Sequence, residues 1–198
     1  MPKNFNAFRH VALGYVLIVG LAIGLITPIV QAEAPHDTLY TTENSIVDGL
    51  TQAERAAKID QLFLSRGNPL AGYGLAMVQA ADKYKLNWKL LPALSIIESN
   101  GGSMLCKNPK GAWNPFGYGS CKIGFTDFNH AIDVVAKNLG GHNPTTEKYY
   151  KDKTIEQIID AYNPPSVRHD YRQLVIWAMN KIESTEIPTS SKQLAMNK

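Results

Sequence analysis

Only two cysteines occur among the 198 residues, neither has a C-x-x-C partner, and the five histidines are scattered without metal-ligand spacing, so a zinc site is not expected. No P-loop, G-x-G-x-x-G, G-x-S-x-G or H-E-x-x-H pattern is present, and no internal repeat. Charge is sparse as well: 19% of residues are Asp, Glu, Lys or Arg, and the formal net charge of +3 includes Lys3 and Arg9, which precede a hydrophobic segment. Without that segment the remainder is close to neutral and lacks the dense basic face that phosphate backbones require, which excludes nucleic acid as an expected partner. One further absence bears on chemistry: between Ser99 and Thr126 there is no Asp or Glu at all.

What is present begins with an export signal. Lys3, Arg9 and His10 are followed by the uncharged run of residues 11–30, then by VQA ending at Ala32, the small-residue pattern of a cleavage site. The alternative is a retained anchor, since residues 11–30 are about long enough to span a bilayer. Both place the remainder outside the cytoplasm, secreted or in the cell envelope, with membrane contact only through residues 11–30 if they are kept. In that compartment Cys106 and Cys121, which enclose the Gly-, Pro- and Asn-rich stretch KNPKGAWNPFGYGS, are expected to close a disulfide, the alternative being two free thiols.

The domain division that follows is signal or anchor over 1–32, a polar linker over 33–49, one folded domain over 50–184 and a mobile tail over 185–198. Length and composition allow one ordinary core. Thr51 and Glu54 form a capping box for a first helix, 68–69 open a second over about 70–84, and Asn87 caps a third over about 88–99, with a later start if Pro92 is to sit in its first turn. Thr126 caps a fourth helix, whose Phe128, Ile132, Val135 and Leu139 form a core-facing stripe. Thr154 and Gln157 box a short fifth helix, and a sixth runs over about 167–183. Six helices around a glycine-rich loop make an all-α, or α-dominated α+β, domain, and the aromatic and Gly content of 113–125 suits a short hairpin.

One residue in the third helix stands out. At about 100° per residue, Glu98 falls between Leu94 and Leu91, inside the apolar arc. Desolvation there disfavours the charged carboxylate and raises its pKa, which is what a general acid near neutral pH needs. Gly101 and Gly102 end the helix just beyond, leaving Glu98 in a final turn at a cleft. The competing reading is a structural acid paired with a buried Arg or a backbone amide.

IIESNGG, NPFGYG and AYNPPS with a following Tyr171, in this order, resemble the lysozyme-like superfamily of peptidoglycan-cleaving enzymes over residues 70–182, closest to the N-acetylglucosaminidase domain, also called mannosyl-glycoprotein endo-β-N-acetylglucosaminidase-like. The soluble lytic transglycosylases share ES and AYN, but their Gly-Leu-Met-Gln signature is replaced here by FGYG. The resemblance implies a glycosidase acting on the β-1,4 backbone of peptidoglycan strands, with no cofactor or metal. It implies Glu98 as general acid, Ser99 as an orienting residue, Asn114, Phe116 and Tyr118 as lining of the groove, and Tyr162 as a catalytic neighbour across the cleft. Trp113 joins the aromatic residues able to stack on sugar faces, and Lys107, Lys110 and Lys122 suit an anionic polymer. The acid-free loop cannot supply the second carboxylate of standard glycosidases, which leaves Asp127, better read as a helix cap, and Asp170 as candidates, or else the substrate's own N-acetyl group or an internal attack. The rival from another class is a non-catalytic wall-binding or scaffolding module.

Overall fold

The computed structural model describes residues 45–107 and 111–188; the expected signal or anchor segment, residues 33–44 of the expected linker and the last ten residues lie outside the described residues. The described chain is all-α, with α1 (Gln52–Ser65), α2 (Gly74–Lys83), α3 (Leu90–Ser99), α4 (Phe128–Leu139), α5 (Glu147–Tyr150), α6 (Ile155–Tyr162) and α7 (Tyr171–Glu183). None of the described helices is long and apolar enough to cross a membrane.

Local signals explain most of the starts. Thr51 and Thr154 each accept from the backbone N–H three residues on, and Glu54 and Gln157 return the bond, so both capping boxes are formed. At α4 the cap is Asp127 and not Thr126: its carboxylate accepts from His130 N at 2.8 Å. The third helix starts at Leu90, which puts Pro92 in the first turn, where its missing N–H costs no bond. Two starts are later than expected, Gly74 for α2 and Tyr171 for α7, and neither has a side-chain cap. The additional helix, α5, is a single turn.

Helix α3 is the centre of the molecule. Leu90, Leu91, Ala93, Leu94 and Ile96 are all buried, and a helix apolar on every side must be surrounded. It packs on α7 and α2, while α1 and α2 pair beside it and α4, α5 and α6 complete the shell. Beneath α1, Arg55 is fully buried and paired with Asp82 at 2.7 Å. Burial works against ionisation of Asp82, but hydrogen bonds from Arg55, Gln52 and Ser45 outweigh it and hold the pKa below the usual carboxylate range.

Ser45 belongs to the stretch expected to be linker. Arg55 donates to its carbonyl and hydroxyl oxygens, and Asp48 accepts from the Trp88 indole at 3.1 Å, so residues 45–49 are part of the folded domain. At the other end Lys58 holds the carbonyls of Glu183 and Thr185, which keeps the chain ordered just past α7.

The hairpin expected over 113–125 is absent: the described residues contain no strand, only an isolated Val47–Leu50 bridge. The physical reason is visible in the loop. Trp113, Gly117, Gly119, Ser120 and Cys121 all have φ between 54° and 64°, which coils the chain. Asn114 then takes over the backbone bonding that a partner strand would have supplied, donating to the carbonyls of Tyr118 and Ile123 and accepting from Tyr118 N. The expected disulfide between Cys106 and Cys121 closes the base of this loop, with Cα atoms 5.8 Å apart.

Candidate functional site

The site grows from the end of α3. Asn100 takes the left-handed conformation at φ 51°, and Gly101 and Gly102 follow it at 61° and 88°, so Asn100 is the first residue to leave the helix. This turn is clamped from outside: Asn68 donates to Asn100 O at 2.8 Å, and Leu70 N to Gly101 O at 3.2 Å. A Cβ on Gly101 would lie 2.6 Å from Asn68 Cγ, so the close approach requires glycine. The last turn of α3, with Glu98 in it, is therefore rigidly placed.

Glu98 is half-buried, and its two oxygens have different surroundings. Oε1 accepts from the Tyr171 hydroxyl at 2.5 Å. Oε2 lies against Gly117, where a Cβ would stand 2.7 Å away, and it accepts no hydrogen bond among the described residues. Burial pushes the carboxyl above the ordinary Glu value, against smaller lowering effects from the Tyr171 hydroxyl and the charge of Arg168. Among the described residues no buried arginine pairs with it, so the ion-pair reading does not describe this acid there. Arg168 is exposed and bonded instead to Asp170.

Tyr162, the last residue of α6, donates to the Phe116 carbonyl at 2.5 Å and stacks on Tyr171 with ring planes 17° apart. Tyr118 tilts toward Tyr162 at 6.3 Å between centroids. Burial and the nearby Glu98 charge push the hydroxyls of Tyr162 and Tyr171 far above the ordinary tyrosine value, and burial raises Tyr118 too. At neutral pH these tyrosines keep their hydroxyl protons, so they can donate hydrogen bonds and do not act as phenolates. The loop, α6 and α7 thus converge on Glu98 from three separate stretches of sequence.

The other expected site residues fall in different places. Ser99 is 2% exposed, and its hydroxyl is consumed by Pro115 O at 2.7 Å, Ser95 O and Gly102 N. It ties α3 to the loop and offers nothing to a sugar. Asn114 and Phe116 are likewise buried, at 1% and 0%, and build the loop from within. Trp113 is 47% exposed and forms a T-shaped pair with Phe128 at 5.2 Å between ring centres. Lys107 and Lys122 are exposed, whereas Lys110 lies outside the described residues. Asp127 is spent on the α4 cap, and its bonds with His130 N and Thr126 hold it ionised below the usual range. Asp170 is engaged by Arg168 at 3.1 Å. Neither candidate second acid is an idle carboxylate, and the charged group acting on Glu98 is Arg168.

Sequence reasoning assigned no site role to Tyr171, Gly117 or Arg168. Tyr171 lies on the core-facing stripe of its helix, so periodicity reads it as packing; an aromatic at a helix start facing another helix's only acid was the available signal. A cavity of about 540 Å³ lies elsewhere, between Tyr84, Gly140, His142, Tyr150 and Lys151, and Glu98 does not line it. Tyr150 lines this cavity, and burial pushes its hydroxyl up to about 12. No metal-binding group of His, Cys, Asp and Glu occurs among the described residues.

Compared with known proteins, the chain matches no protein-family model, and no curated protein matches it in sequence.

Proposed function

We propose that this is an exported, lysozyme-like glycosidase that cleaves the β-1,4 glycan backbone of peptidoglycan, acting as an endo-β-N-acetylglucosaminidase with Glu98 as its general acid. The observation that carries the reading is the asymmetry of the Glu98 carboxyl. Burial favours its protonated form, Tyr171 occupies Oε1, and Oε2 is left against a residue without a side chain. The acidic proton therefore belongs on Oε2, on the side of Gly117, where a glycosidic oxygen can receive it. The tyrosines around it, the exposed Trp113 and the lysines of the loop suit an anionic sugar polymer.

With Asp127 and Asp170 both engaged, the nucleophile comes from the substrate: its N-acetyl group, or the muramic hydroxyl in an internal attack. That same observation keeps lytic transglycosylation as the second reading. A zymogram with purified wall tests the activity, with clearing expected from wild type and none from Glu98→Gln. Binding without clearing by both proteins would instead favour a non-catalytic wall-binding module. Mass analysis of the products then separates N-acetylglucosamine ends, expected here, from muramic acid or anhydro-muramic ends.

A further inference from the structure

The segment between α6 and α7 is exposed, yet it is tightly built. Val167 N and Arg168 N both bond Pro164 O, at 2.8 and 3.1 Å, and Tyr171 N returns to Arg168 O at 3.2 Å. The Arg168 backbone is thus fixed on both sides, and it is fixed to the residue whose hydroxyl holds Glu98. Its side chain is fixed as well: Nε donates to Asp170 Oδ1 at 3.1 Å, and the guanidinium stands 6.0 Å from the centre of the Tyr171 ring. With Nε used in this way, the two terminal nitrogens have no partner among the described residues, and the side chain remains 46% exposed. A planar guanidinium held by one edge, with its fork turned to solvent, is preorganised for a carboxylate. The ring it stands over belongs to Tyr171, whose hydroxyl bonds Glu98 Oε1, and its charge lowers the Glu98 pKa.

Resting on the glycosidase reading, we infer that Arg168 is a substrate-binding residue that receives a carboxylate of the glycan strand next to the bond being cleaved. Two sources carry that chemistry: the stem peptide, and the lactyl group of a muramic residue whose peptide has been removed. Asp170 is then a positioning residue, setting the plane of the fork. A neutral chitin-type strand gains nothing from this contact.

The test measures binding in the Glu98→Gln background, where no turnover intervenes. The probes are a peptidoglycan tetrasaccharide bearing stem peptides, the same tetrasaccharide stripped by an amidase, and chitotetraose. Arg168→Gln is expected to weaken one or both carboxylate-bearing probes roughly five- to tenfold, the scale of an exposed Arg–carboxylate fork, and to leave chitotetraose unchanged. Whichever of the first two responds identifies the source, and Arg168→Lys is expected to restore only part of the loss. An equal loss on all three probes, or no loss on any, overturns the assignment. A wild-type protein that binds the probes but never clears wall sinks the glycosidase reading alone; one that binds none sinks both.

Discussion

Gly117 and Glu98 face each other so closely that a methyl group on Gly117 would sit 2.7 Å from Glu98 Oε2, and Gly117 holds this position at φ 62°. The loop and the acid are fitted to one another through the absence of a side chain. Gly117→Ala is therefore expected to lose wall clearing and to destabilise the fold by about 1–2 kcal/mol from the left-handed backbone alone. Thermal unfolding beside a zymogram checks it. A variant as stable and as active as wild type would show that Oε2 does not depend on this space.

Tyr171→Phe keeps the ring against Tyr162 and removes the bond to Oε1. Because that bond lowers the Glu98 pKa, its loss raises it further. A general acid stops working as pH climbs through its pKa, so the alkaline limb of the pH–rate profile should move to higher pH in this variant. Stability should fall by about 0.5–1.5 kcal/mol, as for a typical lost hydrogen bond. An unmoved limb with an intact fold would mean that another group sets it.

Glu98 also leaves a mark on stability against pH. Its folded pKa is raised above the unfolded value near 4.5, so the folded state holds the proton more tightly. The stability associated with this group is complete below about pH 4.5 and is lost as pH rises through the folded pKa. Glu98→Gln, still able to accept from Tyr171, should remove that decline, matching wild type in acid and exceeding it at neutral pH. Denaturant unfolding at several pH values gives the comparison, and parallel curves would contradict a raised pKa.

Replacing Cys106 and Cys121 by serine opens the base of the loop that carries Asn114, Phe116 and Gly117. The chain-entropy model puts the loss at about 3 kcal/mol for a loop of this size. Clearing activity should fall with stability, since Gly117 and the Phe116 carbonyl are held through that loop. Chemical denaturation of the oxidised and Cys-free proteins measures it, and unchanged activity in the folded double variant would show that the loop holds its shape without the covalent tie.

Much of this architecture is legible in local sequence because its causes are local. Thr51 with Glu54 and Thr154 with Gln157 act within one turn, and the α4 stripe from Phe128 to Leu139 records a single buried face. The sequence offers both Thr126 and Asp127 as caps of α4, because adjacent residues carry the same oxygen chemistry, and only backbone geometry selects Asp127. The absent hairpin is a different kind of miss: glycine and aromatic content is compatible with strands, but the side chains of Asn114, Ser99 and Tyr162 take up loop backbone groups instead.

By itself, the order of residues determined that helices would form, that the third would carry a broad apolar arc, and that an acid would be caught among its leucines. These follow from periodicity and from the cost of taking a carboxylate out of water. Tertiary structure alone decided which oxygen of Glu98 is tied and which is left, that Ser99 and Asn114 hold the loop, and that Tyr171 stands beside the acid with Arg168 over its ring. Contacts such as Tyr171 with Glu98, 73 positions apart, depend on how α7 packs across α3, and no local pattern encodes that crossing.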